Sequence, residues 1–308
     1  MGWGSFTSRD WDSYTKRRGY TDSSSASELY KARTVKPEME PKGIEFRESC
    51  DSKEHPESTP IILGLDVTGS MGCVLETVSK KLNKLILEIY DREPVKDPQI
   101  MVMAFGDVEC DRHPLQVTQF ESDIRIAEQL NDIYFERGGG GNAGESYTLP
   151  WYFASRHTKT DSYKKRGKKG FLFTMGDEPF LNNLSKEAIR NFIGDDIEYD
   201  LSAEELLSEV SRKYEVYHLM IEEGAGMRGM RYYGDKVIDN WTKLLGQRAI
   251  RVSDCDAIPE IIVSILQIEA GKEKEEIIDS WDEKTAKAVR TAITGLTKID
   301  DSNDLIEF

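Results

Sequence analysis

One short segment carries residues whose types and spacing can bind a hard cation, and two others place polar residues directly after a predicted strand or at the opening of a predicted helix. The first is Asp66, Val67, Thr68, Gly69, Ser70, in which one carboxylate and two hydroxyls take alternate positions and so can point the same way where a strand gives way to a helix. The second is a glycine run, Gly139 to Gly141, followed by Asn142, Ala143, Gly144 and Glu145; the Asn142 amide oxygen is a neutral donor. In the third, Asp177 follows the apolar stretch Phe173 to Gly176 and precedes Glu178 and Pro179. The carboxylate and two hydroxyls of the first segment suit Mg²⁺, which keeps several waters and typically uses one or two protein carboxylates, so a coordination position stays open to an outside ligand. Mn²⁺ and Ca²⁺ take the same class of donor.

These segments work together only if the fold delivers them to one place. From about residue 59 the pattern predicts alternating strands and helices. Ile61 to Leu65 reads as a buried strand, and a helix follows with Val74, Leu75, Val78, Leu82, Leu85, Ile86 and Ile89 on one face. Strand Ile100 to Phe105 comes next, then an edge strand Leu115 to Phe120 reached by a hairpin, and a helix Ile124 to Phe135. Helix Glu145 to His157, strand Gly170 to Thr174, helices Ser185 to Ile193 and Ala203 to Lys213, strand Val216 to Ile221, strand Ala249 to Val252 and helix Ile258 to Ile268 complete the series. The expected fold is a doubly wound, Rossmann-like α/β domain, its central sheet mostly parallel with one antiparallel edge strand and helices on both faces. Ligands then bind beyond the carboxyl ends of the strands, where all three segments fall.

Flanking regions differ in composition. Residues 1–58 lack periodicity and read as an extended arm with no core of its own, yet Trp3, Phe6, Trp11 and Tyr14 are aromatic anchors that such arms seldom carry. Residues 271–308 predict one helix, with Trp281, Val289, Ile293 and Leu296 in a stripe, and then the acidic end IDDSNDLIEF. The net charge of −15 gives little support to binding nucleic acid or an anionic membrane. Four scattered cysteines with no CxxC pair argue against a zinc ribbon or a disulfide scaffold. With no apolar leader and no run of roughly 20 apolar residues, the expectation is a cytoplasmic protein whose partner is another protein.

The three segments, in this order, resemble the metal-ion-dependent adhesion site of the von Willebrand factor A (VWA) family, which reads DxSxS or DxTxS after its first strand. The resemblance spans residues 59–270. Many bacterial members write the second loop as GGGD, a spacer and PE; here Asn142 stands in place of Asp and Gly144 in place of Pro. Asp177 matches the GDxP form of the third loop. Segments RESCDS (Arg47 to Ser52) and VTGSMG (Val67 to Gly72) are also similar to those of VWA proteins from bacteria and their phages. The resemblance implies Asp66, Thr68, Ser70, Asn142 and Asp177 as ligands of Mg²⁺, and a scaffold without catalysis that captures an Asp or Glu of a partner. That partner is expected to be a MoxR-type AAA+ ATPase or a phage structural protein, the latter placing the chain in a virion.

Other readings start from the same residues. An aspartate nucleophile after the first strand, as in haloacid dehalogenase phosphatases, would make the chain a metal-assisted phosphohydrolase; Thr68 then occupies the place of the acid/base aspartate. Gly139 to Ser146 aligns with a P-loop, but Glu145 stands where lysine should be and would repel phosphate. A VWA module whose metal site has decayed is the third alternative. His55, His113, His157 and His218 show no ligand spacing, and the basic run Lys164 to Lys169 reads as a solvated loop; Asp107, Glu109 and Asp111, in the hairpin expected on the metal face, read as solvated or else as acids that adjust the local charge or bind a second ion. Gly224 to Asp235, with Arg228, Arg231, Tyr232 and Tyr233, is expected on the metal face as a contact for an acidic partner or a plain surface loop.

Overall fold

Apolar runs become the inner strands of a parallel sheet because a strand covered by helices on both sides has no polar face to show. The computed structural model describes residues 7–19, 32–71, 77, 84–135, 144–224, 227 and 231–297. Its strands are β1 (Arg47–Ser49), β2 (Thr59–Asp66), β3 (Pro98–Phe105), β4 (Leu115–Val117), β5 (Thr158–Thr160), β6 (Gly170–Gly176), β7 (Asn183–Leu184), β8 (Leu201–Ser202), β9 (Tyr214–Ile221) and β10 (Ala249–Val252). Six of them form the central sheet in the order β10-β9-β6-β2-β3-β4. Every pairing in it is parallel except β3 with β4. This is the α/β sheet with one antiparallel edge that the periodicity predicts.

Alternate residues of β2 feed two cores. Ile61, Leu63 and Leu65 face one layer, where the helices at 84–92, Arg125–Asn131 and Ile258–Glu269 pack. Ile62 faces the other, with Met101, Met103, Leu172 and Val216 and the helices Thr148–Arg156, Lys186–Phe192, Ala203–Val210 and Arg231–Leu245. Gly64 leaves the space that the Thr174 methyl and the Phe105 ring occupy, 3.1 and 3.4 Å from where its Cβ would be.

Connectivity sets the place for a ligand. From β2 the chain adds β3 and β4 on one side, then returns to add β6, β9 and β10 on the other. The order reverses between β2 and β6, and in open α/β sheets ligands bind beyond the carboxyl ends of the strands at such a reversal.

Both flanks pack more closely than their composition implies. Helix Ser8–Arg18 has a Thr7/Asp10 capping box and ends at Gly19 in the left-handed region (φ 69°). Tyr14 is fully buried against the first core, and its hydroxyl accepts a hydrogen bond from Asn131. β1 pairs in parallel with β5. Trp3 and Phe6 lie outside the described residues. At the other end two helices, Lys274–Asp279 and Glu283–Ile293, replace the single one expected. Trp281 sits between them and donates from Nε1 to Ser264 Oγ at 3.0 Å. They cover helix Ile258–Glu269, whose apolar residues run all the way round, as they must in a helix with no solvent face.

The basic run is not a solvated loop. It ends helix Asp161–Arg166, and Arg166 grips Asp51 through two bonds of 2.7 and 3.1 Å, joined by Lys165 at 3.2 Å and Ser58 Oγ at 2.7 Å. Burial alone would raise the Asp51 carboxyl, but hydrogen bonds from Arg166, Ser58 and Lys165 outweigh it and hold it well below the usual carboxylate range. A carboxyl depressed on folding adds stability that is present above its unfolded value of about 3.9 and is lost as pH falls through the folded one. Asp51→Asn is therefore expected to cost about 2–3 kcal/mol at pH 7, with the gap to wild type narrowing below about pH 4. Urea unfolding at pH 7 and pH 3 measures it, and an equal gap at both would show that the charge of Asp51 contributes nothing.

Candidate functional site

Five chain segments reach the carboxyl edge of the sheet around the reversal. β2 ends on Asp66, which is fully buried. The chain turns at once, so that Thr68 donates to Asp66 Oδ1 from both its backbone N (2.9 Å) and its hydroxyl (2.6 Å), the local bonding that short polar side chains offer at a turn. Gly69–Met71 then forms a single 3₁₀ turn. Beyond β6, Asp177 is fully buried as well. Gly224, three residues past β9, presses on it: a Cβ there would fall 2.3 Å from Asp177 Oδ2. Only glycine fits that approach.

The segment before helix Thr148–Arg156 threads between these two. Glu145 N donates to the Pro179 carbonyl at 2.9 Å, and the Glu145 carbonyl accepts from Leu181 N at 3.1 Å. Gly144 lies so close to the Pro179 carbonyl that a Cβ would stand 2.9 Å from it, a physical reason for glycine there. Tyr147 Oη donates to Asp66 Oδ2 at 3.3 Å and accepts from Glu178 N at 3.4 Å.

Asp107, expected in a solvated hairpin, is instead fully buried. Its Oδ1 accepts from Glu109 N at 2.9 Å and from the Ser146 hydroxyl at 3.4 Å, and its N–H donates to Asp111 Oδ2 at 2.8 Å. Asp107 Oδ2 and Glu145 Oε2 are buried oxygens with no hydrogen-bond partner among the described residues. An oxygen so placed carries the full cost of its lost hydration.

The electrostatics follow from this crowding. Burial raises the Asp66 carboxyl, and neighbouring Asp177 raises it further against the bonds from Thr68 and Tyr147. Burial likewise pushes Glu145 up, reinforced by Asp66, Asp107, Asp111 and Glu178. Glu178 rises through burial and Asp177, opposed by the Tyr233 hydroxyl. Like charges out of water demand protons or a cation.

The structure thus brings Asp66 and Thr68 into direct contact and places Asp177 within electrostatic range of Asp66. Asn142, Arg228 and the Ser70 side chain lie outside the described residues, as do most positions predicted for the helix after β2. No three His, Cys, Asp or Glu side chains among the described residues form a ready-made metal-binding group. The donors nevertheless fit a hard dication held mainly through hydroxyls and water: two buried carboxylates, a hydroxyl beside one of them, and neighbouring carboxylate oxygens with no hydrogen-bond partner among the described residues. His218 is buried with Nδ1 2.9 Å from Thr174 Oγ1 and its ring stacked on Trp241 at 3.5 Å, a structural role. Tyr147 is the residue that sequence reasoning missed as part of the site; Asp107, which the sequence places on this face, is buried where solvation was the favoured expectation.

A comparison with protein families finds no match, and neither does one with curated proteins. Among solved structures, the pilus adhesin SpaC of Lactobacillus rhamnosus GG in its open conformation is similar, with a TM-score of 0.46 and 13% identity over 75% of this chain and 31% of the adhesin. A further structure of that adhesin gives 0.47, 14%, 76% and 32%. The chain spans about a third of the adhesin's length. No helix among the described residues is long and apolar enough to cross a membrane.

The raised Glu145 carboxyl has a pH signature. Its folded value lies above its unfolded value of about 4.3, so its contribution is fully present below that and is lost as pH rises toward the folded value. In chelator-treated protein, Glu145→Gln is expected to make the decline of stability between pH 5 and 9 shallower, the variant being favoured by about 1–3 kcal/mol at the upper end. Thermal melts across that range measure it; parallel curves would mean that Glu145 stays ionised and solvated.

Proposed function

We propose that the chain is a VWA-type binding protein without catalytic activity, which captures a carboxylate of a partner protein at a divalent cation, as a scaffold in a bacterial or phage assembly. The observation that carries this reading is the pair Asp66 and Asp177, both without solvent contact, at the reversal of strand order. Asp66, Thr68 and Asp177 would hold the ion, with Ser70 and Asn142 completing the set by resemblance. Bound there, Mg²⁺ supplies a hard Lewis-acidic centre whose open position suits an Asp or Glu oxygen. The protein's part is to hold its own carboxylates dry and oriented, so that the ion would be fixed in place with a coordination position left for a visiting carboxylate. A MoxR-type AAA+ ATPase and phage structural proteins are the partner classes that the resemblance favours.

One observation supports a second reading. A metal-assisted phosphohydrolase needs a proton donor beside Asp66, and Glu145, raised by burial and by Asp66 itself, is such a group. Incubation with p-nitrophenyl phosphate and Mg²⁺ separates the two readings: release of nitrophenol above the buffer rate, abolished by Glu145→Gln, would favour the hydrolase.

For the binding reading, melting temperatures are compared in EDTA and in excess Mg²⁺ or Mn²⁺ for wild type and Asp66→Ala. An ion that binds only the folded state at a hundredfold excess over Kd stabilises it by about 2.7 kcal/mol. Wild type is expected to shift upward and the variant to stay put, and partner proteins retained in Mg²⁺ are expected to wash off in EDTA. No shift in wild type with either ion overturns the reading.

A further inference from the structure

Among the described residues two large hydrophobic side chains are exposed, Tyr163 at 40% and Tyr199 at 63%. Each sits among charges of one sign. Tyr163 belongs to helix Asp161–Arg166, just before β6 and so at the amino edge of the sheet, with exposed Lys164 beside it. Lys168 folds back onto the same turn, its N–H donating to the Ser162 carbonyl at 3.1 Å. Tyr199 lies between Glu198 and Asp200, two residues before β8, on the stretch that returns from helix Lys186–Phe192. Pairing within the chain leaves a remainder at both places. Asp51 and Asp161 take up Lys165, Asp51 takes up Arg166, and Arg190 takes up Asp196. The side chains of Lys164, Lys168 and Glu198 have no partner among the described residues.

Both tyrosines stand on pinned backbone. Asp200 Oδ1 takes the first N–H of helix Lys186–Phe192, from Lys186 at 3.0 Å, and the Glu198 carbonyl accepts from Lys186 Nζ at 3.4 Å. Asp195, where the stretch begins, accepts from Tyr152 Oη at 2.6 Å and lies 2.9 Å from His157 Nε2. On the other patch Arg166 is fixed on Asp51. Surfaces ordered beforehand lose less entropy on docking. We propose that the two patches are the halves of one contact, the Tyr163 patch of one copy of this chain docking on the Tyr199 patch of a second copy. Tyrosine is enriched among the residues that dominate interfaces, because it offers a large area with few rotatable bonds. Lys164 and Lys168 then face Glu198 and Asp200, and each ammonium also finds an aromatic face. A chain with net charge −15 repels its own copies at long range, so patches of opposite sign select the one orientation in which they meet. The contact uses no cation and stands apart from the binding function proposed above.

The test is analytical sedimentation of the full chain in EDTA at low salt, from micromolar to millimolar concentration, with melting temperature as the check on folding. Wild type is expected to rise above the monomer mass as concentration increases and to fall back in high salt, which screens exposed charges. Three variants, the double Lys164→Glu and Lys168→Glu, the single Glu198→Lys and the single Tyr199→Ala, are each expected to self-associate at least about tenfold more weakly. Mixing the lysine variant with Glu198→Lys is expected to restore association, because the first keeps its Tyr199 patch and the second its Tyr163 patch. A wild type that stays monomeric throughout, variants that associate as well as wild type, or a mixture no better than its components overturns the proposal.

Discussion

A carboxylate removed from water is tolerated only where something replaces the water, and this chain removes two at the same place. Asp66 ends β2 and Asp177 directly follows β6, and the parallel pairing of those strands brings the two carboxylates within electrostatic range of each other. Neither can retreat to solvent without unmaking the sheet. The segments around them read as answers to that constraint: Thr68 folds back on Asp66, Gly224 leaves room for Asp177, and Tyr147 spans the two loops with one hydroxyl. Fields in a dry crevice are screened less than at a surface, so the small set of neutral donors there has large leverage over what the carboxylates will accept.

The opposite edge of the sheet is built from different forces. There Asp51 meets Arg166 and Lys165, and Glu215 meets Lys169 and Arg248. The Asp51 pairs fasten the segment before β2 to the helix before β6, and the Glu215 pairs tie the starts of β6, β9 and β10 together. Acids meet bases at one end of the strands and other acids at the other, and this asymmetry sets the candidate site apart from the many other acids of a chain with net charge −15.

Much of this was legible from residues alone, and the exceptions share a cause. Strands β2, β3, β6 and β9 announce themselves as apolar runs because both their faces are covered. Asp66, Thr68 and Asp177 stand out because polar residues directly after such runs have few other reasons to be there. Asp107 was misread because its neighbours Glu109 and Asp111 are polar, and burial there is set by Ser146, some forty positions away. The anchoring of the first 58 residues was hidden for the same reason: Asp51 and Arg166 are 115 positions apart, and no local periodicity reports a contact across that distance. Tyr147 looked like any aromatic at the start of a buried helix. The Oη contact, rather than the ring, makes it part of the site.

The notch between Tyr147 and Gly176 also constrains how this protein can drift. A side chain at position 176 and a hydroxyl at position 147 cannot coexist without rearrangement, so the two positions are free to vary only as a pair. Phenylalanine at 147 would not by itself open the neighbouring glycine to alanine, because the ring carbons Cζ and Cε1 would still stand 2.7 and 2.8 Å from a Cβ at position 176, so a smaller side chain must come to 147 before position 176 can change. The same logic ties Gly224 to Asp177. Joint variation at 147 with 176, and at 224 with 177, is therefore the mark by which relatives sharing this arrangement can be told from those that share only the sheet.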